Sequence, residues 1–234
     1  MDQFCVVLVN PLYAGNVGSV ARVMKNFGFR ELVLVNPPKE TGEMRAMAMH
    51  AKSDVLDEAK IFESFEGVKG YCDFLVATSA VSGGNRNYNR SPMLPEDLRP
   101  ALSVDGKVGL VFGTEDQGLS SKQIAECDLQ VTIPANPKYP VLNLAQAVAV
   151  MLYEVSRQPF RSKTLLKRKN QPISGEAKNT LLSFFDETAD KLYEKEFERM
   201  IIKKTFRQVV GRGFISLRES NTLIGFFRNI ADRL

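Results

Sequence analysis

Histidine is nearly missing from this 234-residue chain: His50 is the only one, and the three cysteines, Cys5, Cys72 and Cys127, lie far apart with no C-x-x-C among them. A lone ligand type does not close a zinc site, so this scarcity argues against histidine-based metal or triad chemistry, a cysteine-held metal and a disulfide framework. No stretch approaches the roughly 18 consecutive apolar residues that a membrane-spanning helix needs. The first residues, "MDQFCVV", have neither a basic lead nor a small-residue cleavage site, which disfavours secretion and makes the cytoplasm the expected compartment. Neither G-x-G-x-x-G nor G-x-x-x-x-G-K-[ST] occurs, so the dinucleotide fingerprint and the P-loop are both missing.

What is present is the composition of an ordinary globular chain, 44% hydrophobic with a net charge of +4. That is enough for one substantial core and a small second unit. The charge is unevenly spread: residues 1 to 155 hold 14 Lys or Arg against 18 Asp or Glu, whereas residues 156 to 234 hold 17 against 9. Within "RQPFRSKTLLKRK", residues 157 to 169, six cations occur with no carboxylate. Such a block reads either as a solvated linker at a domain boundary or as a surface seeking a polyanion, for which nucleic acid is the natural partner.

Short apolar runs alternate with helical patterns over the first two thirds of the chain. "FCVVLVN", "ELVLVN", "CDFLVATS", "KVGLVFG" and "LQVTIPA" have strand length and end in Gly, Pro, Asn, Ser or a small residue. Most are apolar throughout, as buried parallel strands are. Helical patterns fall at 18 to 27, around 43 to 60, at 120 to 126 and at 142 to 157. The alternation predicts an open α/β sheet covered on both faces. After residue 158 the strand signal stops, and amphipathic helices are expected near 175 to 193, 196 to 210 and 217 to 233. Ser216 and Glu219 fit a capping box for the last, and Gly211 and Gly213 suit the preceding stop. The division expected is 1-157 as an α/β domain, 158-173 as a basic linker and 174-234 as an all-α extension.

Three stretches stand out at strand ends. "NPLYAGNVGSVAR" places two glycines, Asn16 and Ser19 ahead of a helix expected to start near Gly18, with Val20, Val23, Met24 and Phe27 as its apolar stripe and Arg22 facing outward. A turn of this kind suits close approach of a ligand, and the following helix N-terminus suits an anion. A tight turn with a surface arginine fits the same residues. "LVFGTEDQGLS" ends a strand at Gly113 and puts Glu115 and Asp116 in a loop; "IPANPKYPVLNLAQAVAVMLYE" carries three prolines before Asn143 opens a helix.

Together, in this order, the three resemble the signature segments of the SPOUT superfamily of RNA methyltransferases, over almost all of residues 4 to 156. Within it, "ANPKYPVLNLA" and "TSAVSGGNRNY" are similar to the forms of the TrmJ group of tRNA (cytidine/uridine-2′-O-)-methyltransferases. The resemblance implies a parallel sheet with a C-terminal trefoil knot, S-adenosylmethionine as cofactor, tRNA as substrate with nucleotide 32 of the anticodon loop as target, and a homodimer sharing its active site across the interface. It implies cofactor contacts from Thr78, Ser79, Ala80, Gly113, Glu115, Ile133, Val141, Leu142 and Asn143, with Arg22 catalytic and Asn16 and Ser19 shaping the phosphate and ribose pocket. Val141 stands where the family often has serine, so any side-chain hydrogen bond from that position is lost. Plain core packing is the alternative account of Ile133, Val141 and Leu142. For RNA, Arg86 and Arg90 in the loop 82 to 92, Lys163, Lys167, Arg168 and Lys169 in the linker, and Lys203, Lys204 and Arg207 in the tail are the candidate phosphate contacts. The loop 82 to 92 is equally compatible with plain solvation. Methylation of rRNA or of a base, and a non-catalytic RNA-binding module, are the alternatives to tRNA ribose methylation.

Overall fold

The computed structural model describes residues 3–80, 92–98, 101, 104–162, 173–213 and 215–233. The expectations for Arg86, Arg90, Lys163, Lys167, Arg168 and Lys169 fall outside that set. The first apolar run forms β1 (Phe4–Val9), buried at every position. The chain continues through α1 (Ala14–Asn26), β2 (Leu32–Val35), α2 (Gly42–Ala48), β3 (Lys60–Phe62), α3 (Phe65–Tyr71), β4 (Phe74–Thr78), β5 (Val108–Phe112), α4 (Ser121–Glu126), β6 (Leu129–Val131) and α5 (Leu144–Ser162). All six strands pair in parallel, in the order β3-β2-β1-β5-β4-β6. Parallel pairing with helices on both faces requires apolar side chains on both sides of each central strand. Phe4, Val6 and Leu8 accordingly pack with Val17, Val20 and Met24 of α1 and Val148, Met151 and Leu152 of α5. Cys5, Val7 and Val9 pack on the other face with Phe65 and Val68 of α3 and Ile124 of α4.

The five expected strands are β1, β2, β4, β5 and β6. The additional one, β3, is a three-residue edge strand whose Ile61 is 68% exposed, so it carries no buried run to betray it. The helix expected over 43 to 60 ends at Ala48, where Met49 turns to φ 49° and the chain goes on as a 3₁₀ turn (Met49–Ala51) and a π turn (Lys52–Leu56).

Helix α1 starts at Ala14, earlier than expected, so Gly15 and Gly18 lie inside it and the ligand-facing turn shrinks to the residues before it. These glycines serve helix packing instead. A Cβ on Gly18 would sit 2.0 Å from the carbonyl oxygen of Met44, so only glycine lets α1 cross α2 this closely.

Three more helices follow: α6 (Gly175–Leu192), α7 (Glu196–Arg212) and α8 (Leu217–Ala231). Helix α5 itself continues past residue 157 to Ser162. The capping box of α8 forms, with Ser216 N–H donating to Glu219 Oε2 at 2.7 Å and Glu219 N–H donating to Ser216 Oγ at 3.3 Å. Gly213 follows α7 as a stop, but Gly211 lies within the helix, where an added Cβ would come 2.4 Å from the carbonyl oxygen of Asp128. Helix α7 thus rests against the start of β6. Helix α6 is held at the same edge: the Lys178 ammonium donates to Asp128 Oδ2 at 3.0 Å and to the carbonyl of Asp73, and that carboxylate oxygen also accepts the Leu75 N–H at 2.8 Å. The three helices share a small core in which Phe185 stacks on Phe206 with centroids 3.8 Å apart and Phe227 meets both edge-on. Phe184 lies under the Arg228 guanidinium, and Phe226 is 57% exposed, so packing accounts for Phe185 and Phe227 more fully than for their neighbours.

Candidate active site

Strands β1 and β5 lie side by side, yet the chain leaves them in opposite directions: β1 leads through α1 to β2, and β5 leads through α4 to β6 on the far side of β4. Diverging connections of this kind open a crevice at the carboxyl ends of the strands. The departure from β1 uses a left-handed residue, Asn10 at φ 50°, and β2 ends the same way at Asn36, φ 46°. Asparagine tolerates that conformation better than most residues. Both strands end in the words "VLVNP", and the Asn10 N–H donates to Val35 O at 2.9 Å.

Across the crevice, Glu115 in the loop after β5 secures the turn after β1. Its Oε2 accepts the Leu12 N–H at 2.8 Å, and its Oε1 accepts the Tyr13 N–H at 3.3 Å and the Asn16 Nδ2 amide at 2.8 Å. A carboxylate here is favoured by the unpaired N–H groups and positive dipole end of α1. The side-chain oxygen of Asn16 then accepts from Asn143 Nδ2 at 3.1 Å, while Asn143 Oδ1 caps α5 by accepting the Ala145 N–H at 2.9 Å. Each of the three strand-end segments therefore contributes one member to the chain Glu115–Asn16–Asn143. The β5 loop that presents Glu115 depends on Gly113, because a Cβ there would fall 2.1 Å from the carbonyl carbon of Gly118 as the loop folds back. Asp116 in this loop is held below the usual carboxylate range, chiefly by the Thr114 hydroxyl.

The crevice is a cavity of about 540 Å³. Of the residues singled out from the sequence, Asn16, Ser19, Glu115, Val141, Leu142 and Asn143 line it. Thr78, Ser79, Ala80, Gly113 and Ile133 do not; they stand at the carboxyl ends of the neighbouring strands, where Thr78 Oγ1 donates to Val111 O at 2.9 Å and Ser79 N–H donates to Val131 O at 3.0 Å. Ile133 packs against the main core. Arg22 is exposed, one helical turn beyond Ser19, outside the cavity wall and without a side-chain partner among the described residues. Tyr13, Glu43, Met47 and Tyr139 also line the cavity, though none is among the site residues expected from the sequence. Tyr13 and Tyr139 sat inside the quoted segments, but Glu43 and Met47 arrive by the crossing of α2, which no local pattern announces. In the tail, Lys203 is bound to Asp190 at 2.7 Å, and Lys204 and Arg207 are half-buried. The cysteines are free; the Cys5 thiol is pushed up by its hydrogen bond with Cys72 and by burial, and Cys127 by burial. Such thiols stay protonated at neutral pH and are poor nucleophiles.

Replacing Glu115 by Gln is expected to leave one of its three donors without an acceptor. Hydrogen bonds to charged groups contribute about 1.5–3 kcal/mol, and partial exposure places this one at the low end. About 1.5 kcal/mol corresponds to a fall of roughly 3–6 °C in melting temperature for a chain of this length. A thermal melt of E115Q within 1 °C of the parent would remove the bracing role.

The fold and cleft define an open parallel α/β protein whose site is built from three strand-end segments at a topological switch point. The profile of the SpoU rRNA Methylase family matches residues 3–153, and the chain belongs to that family. It is 44% identical over 227 residues, 95% of this chain and 97% of the other, to the tRNA (cytidine-2'-O-)-methyltransferase TrmJ of Methanocaldococcus jannaschii. Among solved structures it is similar to TrmJ from Z. mobilis ZM4, with a TM-score of 0.71, 29% identity and coverage of 96% of this chain and 97% of that one. The SpoU methyltransferase AviRb from Streptomyces viridochromogenes, solved in complex with the cofactor AdoMet, shares the fold at a TM-score of 0.55 and 22% identity, over 69% of this chain and 62% of that one. The resemblance drawn from the three segments holds at the level of the family. Among the described residues no helix is long and apolar enough to cross a membrane.

Proposed function

We propose that the chain is an enzyme that transfers the methyl group of S-adenosylmethionine to a ribose 2′-oxygen of tRNA, at nucleotide 32 of the anticodon loop. The observation that carries this reading is the Glu115–Asn16–Asn143 chain, which joins three segments of a methylase family around one cleft. The tRNA substrate is supported by the relative that shares 44% of its residues along nearly the whole chain. The position within tRNA rests on the resemblance to the TrmJ group.

The residues present fit the cofactor. Of the proposed cofactor contacts, Glu115, Val141, Leu142 and Asn143 line the cleft, and Thr78, Ser79, Ala80, Gly113 and Ile133 stand at the adjoining strand ends; main-chain groups and small or apolar side chains dominate this set, which suits an adenosine. The bound cofactor supplies an electrophilic methyl group; the rest is positioning and charge. Asn16 and Ser19 shape the pocket for the phosphate and ribose, Asn143 joins Asn16 to the cofactor side of the cleft, and orientation alone accounts for a large share of the acceleration. Arg22, a planar guanidinium with a fork of donors, clamps the adjacent phosphate and stabilises negative charge growing on the 2′-oxygen. Its exposed position outside its own cleft supports a homodimer in which it serves the partner's site. The return of the chain from edge strand β6 to α5, which packs against α1, supports the trefoil knot. The tail from α6 onward has its own small core but packs on the sheet edge at β6, with α5 running across the expected boundary at 157 to Ser162; its cations are the proposed phosphate contacts, and the cytoplasm is the compartment where such a substrate is met.

Mapping ribose methylation in tRNA and rRNA from a strain lacking the gene tests this reading. The expected result is loss of one 2′-O-methyl mark in tRNA with rRNA unchanged; an intact tRNA pattern would overturn it.

A further inference from the structure

Two tyrosines line the cleft with their rings largely in solvent: Tyr13 is 63% exposed and Tyr139 is 80% exposed. Tyrosine exposed to this degree leaves apolar ring surface in contact with water, and two of them on one cavity form a feature that a ligand would cover. Both are held on short, constrained backbone. Tyr139 lies between Pro137 and Pro140, and its N–H donates to Asn136 O at 2.8 Å, closing a turn that the Asn136 side chain reinforces by accepting the Lys138 N–H at 3.0 Å. Tyr13 precedes α1; its N–H is taken by Glu115, and its carbonyl accepts the Asn16 N–H at 3.0 Å. A ring carried on backbone already fixed loses little freedom when a ligand meets it.

We propose that Tyr13 and Tyr139 are the stacking platform for the base of the target nucleotide, holding it at the mouth of the cleft while its ribose sits against Asn16 and Ser19. This deepens the reading of the cleft as the site of ribose methylation and rests on it. Stacking suits the task because a ribose inside a base-paired or stacked strand must be drawn out, and an aromatic face replaces the stacking lost. It also tolerates every base, since each has a π face. The cavity volume of about 540 Å³ is of the size that takes a nucleotide. A flat protein partner fits less well: the tyrosines border a concave wall carrying Asn16, Ser19, Glu115 and Asn143, and such polar groups are not what the core of a protein interface presents.

The test uses the full-length protein with two tRNA transcripts, one intact and one with an abasic ribose at the target nucleotide. For the parent, the abasic transcript should raise KM for tRNA about tenfold, the scale of one lost base stack. For the Y13A/Y139A double variant, KM on intact tRNA should rise by a similar factor and become insensitive to removal of the base, while the dissociation constant for S-adenosylmethionine stays within twofold. Y139F should still distinguish the intact from the abasic transcript, because the ring and not the hydroxyl carries the effect. The proposal is overturned if the parent does not distinguish the two transcripts, if the double variant still distinguishes them as the parent does, or if sedimentation shows the double variant reduced to monomers, which would assign these rings to a subunit interface. A parent that methylates neither transcript would instead refute the reading of the cleft itself.

Discussion

Lysine at position 22 is expected to lower kcat/KM by about 10²–10³, the range for loss of one preorganised transition-state donor, while S-adenosylmethionine binds as before. The charge survives this substitution, but the planar fork that grips phosphate bidentately does not. The structure places Arg22 on the exposed face of α1, beyond the wall of its own cleft and unpaired among the described residues, so it is available to act on RNA bound next to a second protomer. Mixed dimers decide between the two arrangements. If Arg22 serves the partner's cleft, combining R22A protomers with N143A protomers regenerates one intact site per mixed dimer, roughly a quarter of parental activity after random pairing in a two-fold assembly. If it serves its own cleft, the mixture stays inactive. Thermal melts of the R22A and N143A proteins separate either result from misfolding.

The second large effect concerns Lys178. Its ammonium and the Asp128 carboxylate form an ion pair at 3.0 Å with side chains only 8% and 4% exposed. Removing one member of a buried pair leaves the other desolvated and unmatched, which costs about 3–5 kcal/mol. K178M is therefore expected to fall by roughly 10 °C in melting temperature. The double variant K178M/D128N should recover part of the loss, because the uncompensated charge is gone while an oxygen still accepts the Leu75 N–H. A melt of K178M indistinguishable from the parent would mean that this contact does not hold the helical tail to the sheet.

The strands most plainly written in the sequence are those buried on both faces: β1 and β2 are apolar at every position, and no other element suits such runs. Strand β3 has no such signature, since an edge strand of three residues owes its existence to the neighbour it pairs with. Gly15 and Gly18 read as a turn because glycine is a poor helix former. Their place inside α1 is set by α2 crossing it, a contact made by residues 25 or more positions away. The site members Asn16, Glu115 and Asn143 were legible because each lies where a strand ends and a loop meets the cleft. Their mutual hydrogen bonds span sequence separations of 99 and 127, which spacing does not reveal. In sequence Lys178 is one of the 17 Lys or Arg of residues 156 to 234; only its position at the start of α6, over the buried Asp128, distinguishes it.

On the proposed reading, the cleft delivers a methyl group to the sugar of one tRNA nucleotide. Methyl transfer from isotopically labelled S-adenosylmethionine to two otherwise identical tRNAs, one ribose and one 2′-deoxyribose at nucleotide 32, tests it most directly. The first should be labelled stoichiometrically and the second not at all; equal labelling of both, or label recovered on a base, rules this reaction out.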